Sequence, residues 1–165
     1  MRIEAFWSKP LTLTKGKPGD LIYKINESDY EKVPAVAGVD VVLRSHGKRI
    51  EPMYIGETLN LRARLKVPLN SVPLMRAIES SPTGERGLIF CTVKSGSAKK
   101  AKKHIEVIEK ALILHAQAEG HALFNKKGTK LSTDQISFRG NRVSEALAPR
   151  NMLIEKALTR KQRGL

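Results

Sequence analysis

Tyr54, an arginine just beyond it and Glu109 are the side chains of this 165-residue chain best suited to chemistry on a phosphate. Residues 52–65 read as a short strand that breaks at Gly56 and runs into a helix. Met53 and Ile55 alternate with Tyr54 as in a half-buried strand, and Gly56 tolerates close approaches that a side chain would block. Thr58 can cap a helix whose Leu59, Leu61 and Leu65 turn inward while Asn60, Arg62 and Arg64 stay polar. A tyrosine hydroxyl and an arginine placed this way can face one cleft. A guanidinium forks onto two phosphate oxygens, and a phenol can hand on a proton. Glu109 projects from a long helix whose rigid backbone could hold a carboxylate for a hard divalent cation such as Mg²⁺. Glu106, three residues earlier, competes for that role, and a surface pair with a lysine would explain either glutamate.

These side chains need a scaffold, and its elements can be read in outline. Residues 1–20 form an arm broken by Pro10, Gly16, Pro18 and Gly19, with Phe6 and Trp7 expected to plug the edge of the core. Residues 21–25 alternate as a strand. The run from Gly38 to Leu43 predicts another, which folds back on the Tyr54 strand through a turn at Ser45-His46-Gly47-Lys48. Two short helices are expected at 58–66 and about 72–80, bounded by Pro68 and Pro73. The most hydrophobic segment, 88–93, is expected to be the central strand. After Ser95-Gly96-Ser97 a helix of about 20 residues shows Ile105, Ile108, Leu112 and Ala116 at helical spacing. Residues 136–138 can add a strand, and an amphipathic helix is expected from about Asn151.

Thirty lysines and arginines against 16 acidic residues give a net charge of +14, far more than solubility requires and the footprint of a nucleic-acid partner. Residues 126–165 hold ten of those basic residues and three acidic ones, which is half the excess. Lys99, Lys100, Lys102 and Lys103 crowd the start of the long helix, where the helix dipole prefers anions, so they make most sense against phosphate. Arg62 and the terminal Arg160, Lys161 and Arg163 are further candidates for backbone contacts. The lone Cys91 lies in an apolar run and reads as an inert core thiol. One cysteine excludes an intramolecular disulfide framework and a multi-cysteine zinc site, so a reducing cytoplasm is expected. No secretory segment opens the chain and no apolar run reaches the roughly 18 residues of a membrane span, so no membrane partner is expected.

Tyr54-Ile55-Gly56, with Arg64 ten positions after the tyrosine, resembles the second half of the GIY-YIG nuclease signature. Gly38-Val39-Asp40 lies where that family has its Gly-Ile-Tyr strand, and Glu109 followed by Asn125 matches its later landmarks. The resemblance covers about residues 34–128. It implies an α/β fold, a small three-stranded mixed or antiparallel sheet flanked by helices, here with an N-terminal arm (1–33) and a basic C-terminal extension (129–165). It also implies metal-dependent hydrolysis of DNA phosphodiester bonds, with RNA left open as a partner. Glu109 would be the ligand for Mg²⁺ or Mn²⁺, Tyr54 would position or deprotonate the attacking water, Arg64 would hold the scissile phosphate, and Asn125 would brace the site. Asp40 departs from the pattern, because a carboxylate replaces the first tyrosine. It is expected to act as a base or second metal ligand, or else to mark an impaired site whose protein only binds nucleic acid. His46, His104, His115 and His121 do not replace the histidine that some members carry where this chain has Pro68.

Overall fold

The computed structural model describes residues 3–17, 23–66, 72–124, 133–137 and 151–155. Its framework is a hairpin of two long strands, β4 (Gly38–His46) and β5 (Arg49–Thr58). They are joined by a two-residue loop in which Gly47 has φ +59°, a conformation glycine adopts without a steric penalty. β4 pairs on its other side with β6 (Glu85–Val93), and residues 38–42 are buried throughout because both faces of the sheet are covered. β1 (Ala5–Trp7), β2 (Leu11–Lys15) and β3 (Tyr23–Ile25) complete the sheet. β1 and β2 share the outer edge of β6, and β3 pairs with β2.

The sheet is therefore six-stranded and antiparallel, in the order β3-β2-β6-β4-β5 with β1 on β6, and not the three-stranded sheet expected from the sequence. The difference lies in the first 33 residues. Their interrupted pattern suggests an arm, but each short piece finds a ladder partner, and Leu11 and Leu13 enter the core. The 88–93 segment is the centre of the sheet, as expected, with strands on both of its sides.

One face of the sheet is covered by α2 (Leu61–Lys66) and α3 (Val72–Ser80), whose Leu61, Leu65, Leu74, Met75 and Ile78 pack with Val42, Leu88 and Phe90. The other face carries α4 (Ala98–Ala118), which buries Ile105, Ile113 and Ala116 against Val39, Val41, Ile55 and Cys91. Each fully buried isoleucine of that kind is worth about 2–3 kcal/mol of hydrophobic stabilisation. α4 starts at Ser97, whose side chain accepts from the Lys100 N–H at 3.3 Å, and stops where Gly120 turns at φ +79°. A single turn, α1 (Glu27–Tyr30), precedes β4 and carries Tyr30, whose hydroxyl donates to the Arg62 carbonyl. Among the described residues no helix is long and apolar enough to cross a membrane.

Two further expectations change. Thr58 ends β5 rather than capping α2, and the cap is Asn60, whose Oδ1 accepts from the Ala63 N–H at 3.0 Å. Residues 127–165 form a separate compact unit, in which β7 (Thr133–Ser137) pairs antiparallel with β8 (Asn151–Glu155). The helix expected from Asn151 is thus a strand. Its apolar core, Met152-Leu153-Ile154, is only three residues long and gains backbone partners from β7 that a short isolated helix would lack.

Candidate functional site

The site is assembled around a glycine and a bulge. Along β5 the register slips opposite Val42 and Leu43: Tyr54 faces Val42 and Pro52 faces Leu43, so Met53 is the extra residue. Pro52 has no N–H for the ladder, which suits a bulge. Simple alternation would send Met53 and Tyr54 to opposite faces, but both pack on the α2–α3 side. Beyond the bulge Gly56 lies directly opposite Asp40.

Arg64 reaches this point from α2. Its Nε donates to Asp40 Oδ1 at 2.6 Å and its Nη2 to the Tyr54 hydroxyl at 2.7 Å. Nη1 has no hydrogen-bond partner among the described residues, and the guanidinium carbon lies 5.7 Å from the Tyr54 ring centroid. A β-carbon on Gly56 would overlap the guanidinium and come within 2.8 Å of the Tyr54 hydroxyl. Only glycine leaves room for the arginine to lie flat on the strand.

Electrostatics follow from burial. Asp40 is 1% exposed, and desolvation pushes its carboxyl above the ordinary aspartate value, with the Arg64 charge offsetting part of the shift. Burial also works against the Arg64 charge, but Asp40 and Tyr54 together raise its affinity for the proton, so it stays a cation. Glu109 comes from α4. Its carboxyl is raised first by desolvation and next by the Glu57 carboxylate, while the Glu57 backbone and Arg64 pull it down. Asp40 adds a smaller upward push. Arg64 therefore ties Asp40 to Tyr54, and Glu109 feels the charges of Arg64 and Asp40.

Glu57 belongs with them and escapes a reading of the sequence alone. The available signal was its place immediately after Gly56, on the strand that carries Tyr54. Glu106 separates from the cluster: it is exposed and reaches Lys102 at 4.0 Å. Arg62 is exposed and also has a structural task. Its guanidinium donates to the carbonyls of Val33, at 2.6 Å, and Glu31, at 3.1 Å, tying the β4 approach to α2. Asn125 lies outside the described residues, although the Phe124 N–H donates to the Met53 carbonyl at 2.7 Å and so brings the preceding residue beside the Tyr54 strand. Arg160, Lys161 and Arg163 also lie outside the described residues. Lys99, Lys100, Lys102 and Lys103 are all exposed on the first turns of α4.

No group of three or more His, Cys, Asp or Glu side chains is placed to hold a metal ion among the described residues. The oxygen donors near Arg64 still suit a hard cation. Mg²⁺ keeps several waters and needs only one or two carboxylates beside a substrate phosphate, and the mutual repulsion of Glu109 and Glu57 is what a divalent charge would relieve. Burial raises the Cys91 thiol above its ordinary value, which fits an inert core residue. A cavity of about 520 Å³ opens elsewhere, between Arg44, Met53, Ser81 and Phe124, and is not lined by Tyr54, Arg64 or Glu109. Compared with protein-family models, with curated proteins and with solved structures, the chain matches none.

Proposed function

We propose that this protein is an endonuclease that hydrolyses DNA phosphodiester bonds with the help of Mg²⁺ or Mn²⁺. The observation that carries the reading is the bridge Arg64 makes between Asp40 and Tyr54, with its Nη1 without a partner among the described residues and Glu109 of α4 within reach of the Arg64 charge. The GIY-YIG resemblance of the same residues supports it, as does the charge of +14. In this reading Arg64 takes a phosphate oxygen through Nη1 and offsets the charge that develops in the transition state. Tyr54, whose oxygen already accepts from Arg64, uses its own hydroxyl hydrogen to orient the attacking water or, as the phenolate, takes that water's proton. Asp40 positions the arginine and is too buried to reach substrate. Glu109, with Glu57 beside it, would hold the cation, which when bound supplies Lewis-acid stabilisation of charge on the leaving oxygen. The single buried cysteine suits the cytoplasm, the compartment proposed here.

One observation favours a second reading. Asp40 neutralises the arginine that should meet phosphate, so the protein would bind nucleic acid without cutting it. Nicking of supercoiled plasmid separates the two. A nuclease nicks only with Mg²⁺ or Mn²⁺, and Glu109→Ala, matched to wild type in thermal stability, abolishes the nicking. Plasmid binding without nicking in either protein would leave the binding module standing.

A further inference from the structure

Phe6 and Trp7 do not plug the core as the sequence suggests. They are 44% and 50% exposed, on the three-residue strand β1. Scattered exposed hydrophobics are ordinary, but these are adjacent rings on opposite faces of one strand, and its outer edge has no ladder partner among the described residues. Trp7 pairs with Cys91 and so lies on the α4 face; Phe6 pairs with Thr92 and lies on the face that carries Arg64. Lys94 sits over the Phe6 ring at 5.0 Å. The chain then runs directly into Lys99, Lys100, Lys102 and Lys103, all exposed, and only Lys102 has an ion partner among the described residues.

We propose that β1 and the lysines of residues 94–103 form a platform for single-stranded nucleic acid, with unpaired bases stacking on Phe6 and Trp7. This rests on the nucleic-acid reading above and specifies the substrate class. Lysines alone would serve a duplex, whose bases hide their faces inside the stack. Two bared rings gain something only from bases that are unstacked, and base–aromatic stacking needs no particular sequence. The sheet also sets the distance from the site. Phe6, Thr92, Gly38 and Thr58 form one cross-strand row, and the row that holds Asp40 and Gly56 lies on the same face two residues further along the strands. From β1 to β5 is three strand spacings, about 14 Å, or roughly four nucleotides stacked at about 3.4 Å. A substrate with a duplex arm at the site and a frayed or branched strand on β1 would meet both.

Trp7 is the protein's single tryptophan, so its fluorescence reports on this surface alone. The full chain is titrated, without divalent metal, with an oligothymidylate of about 15 nucleotides, a duplex of equal length, and heparin. Quenching at saturation by the oligothymidylate, and clearly less by duplex or heparin, is expected. Anisotropy of the labelled oligothymidylate should show Phe6→Leu and Trp7→Leu each weakening binding about fivefold or more, with duplex affinity within about twofold and Phe6→Tyr restoring binding. Equal quenching by heparin, or equal loss on single strand and duplex, would overturn the platform. So would a shielded Trp7 emission that tracks dimer formation, since the edge would then be covered by a second copy. If plasmid nicking persists while the rings make no difference, the platform alone falls; if neither nucleic acid binds, the functional reading falls with it.

Discussion

At the turn end of the β4–β5 hairpin, Arg44 meets its cross-strand neighbour Glu51; at the other end, Arg64 comes over from α2 to meet Asp40. The chemistry of the two pairs is the same, and the surroundings give them different uses. Arg44 spends Nε and Nη2 on Glu51 and Nη1 on the Thr83 carbonyl at 2.8 Å, so every guanidinium nitrogen is committed. Its hydrogen bond holds Glu51 below the ordinary glutamate value. Arg64 leaves Nη1 without a partner among the described residues, and its carboxylate partner is so deeply buried that desolvation raises Asp40 despite the cation beside it. A carboxylate near solvent fastens an arginine to the fold. A buried one aims it, at a cost to its own ionisation, and leaves a face of the cation for something else.

Arg64→Ala should have the largest effect on that contrast. Losing a transition-state donor is expected to lower plasmid nicking by about 10²–10³-fold. Leaving Asp40 buried without its partner should also cost about 3 kcal/mol in denaturant unfolding. Arg64→Lys keeps the charge but not the fork, and should restore part of the stability and little of the nicking. Normal nicking by either variant would remove Arg64 from the chemistry. Gly56→Ala is gentler. Its β-carbon displaces the end of a flexible side chain rather than backbone, so the melting temperature should stay close to wild type while nicking falls about 10- to 100-fold. A variant that unfolds would mean the glycine serves the fold rather than the arginine.

How much of this was legible in the sequence depends on how local the signals are. Tyr54, Gly56 and Arg64 lie on contiguous elements, and Glu109 on a helix with a clear apolar stripe, so residue type and spacing made them candidates, and the GIY-YIG resemblance chose Arg64 over Arg62 and Glu109 over Glu106. The 88–93 strand announces itself by hydrophobicity. The bulge at Met53 has no periodic signature, and Pro52 is the only hint of it. The partners of β1 and β2 are long-range: three- to five-residue strands carry almost no pattern, and the ladder along β6 makes them strands, whereas β3 alternates legibly and pairs with its near neighbour β2. The exposure of Phe6 and Trp7 was unreadable for the same reason, since an aromatic pair in a sequence looks like core until the strand is found at an edge. Residues 151–155 could be spaced as one helical turn or as a strand, and the β7 partner decides. Asp40 was visible as a carboxylate where a tyrosine was expected, but its burial against Arg64 depends on β5, β6 and α2 together.

Proton linkage gives two smaller effects. Glu109 must be ionised to hold a cation, and its carboxyl is raised, so nicking should fall on the acid side at a pH above that of an ordinary glutamate near 4.5. Glu57→Gln removes a neighbouring negative charge and should move that acid limb to lower pH; an unmoved limb would separate the two glutamates. For Asp40 the sign runs against the usual behaviour of paired carboxylates. Its folded-state value lies above 3.8, so the native state binds the extra proton. The stability it contributes is full below the unfolded value and is lost as the pH rises through the folded one. Asp40→Asn should flatten that decline in urea unfolding measured across the acid range, and an unchanged slope would show that Arg64 keeps Asp40 ionised throughout.

Arg44→Ala should change nicking least of all, by no more than about twofold, because its three nitrogens already hold the protein together and none faces a ligand. It should still lower the melting temperature, since the Thr83 carbonyl and Glu51 lose their donor at the closed end of the hairpin. The informative measurement is the ratio of nicking to stability for Arg44→Ala and Arg64→Ala on the same plasmid. If Arg44→Ala costs as much nicking as Arg64→Ala, the hairpin acts as one strained unit and the open Nη1 has no special standing. If it costs stability alone, the difference between two arginines on one pair of strands comes from how deeply each carboxylate partner is buried.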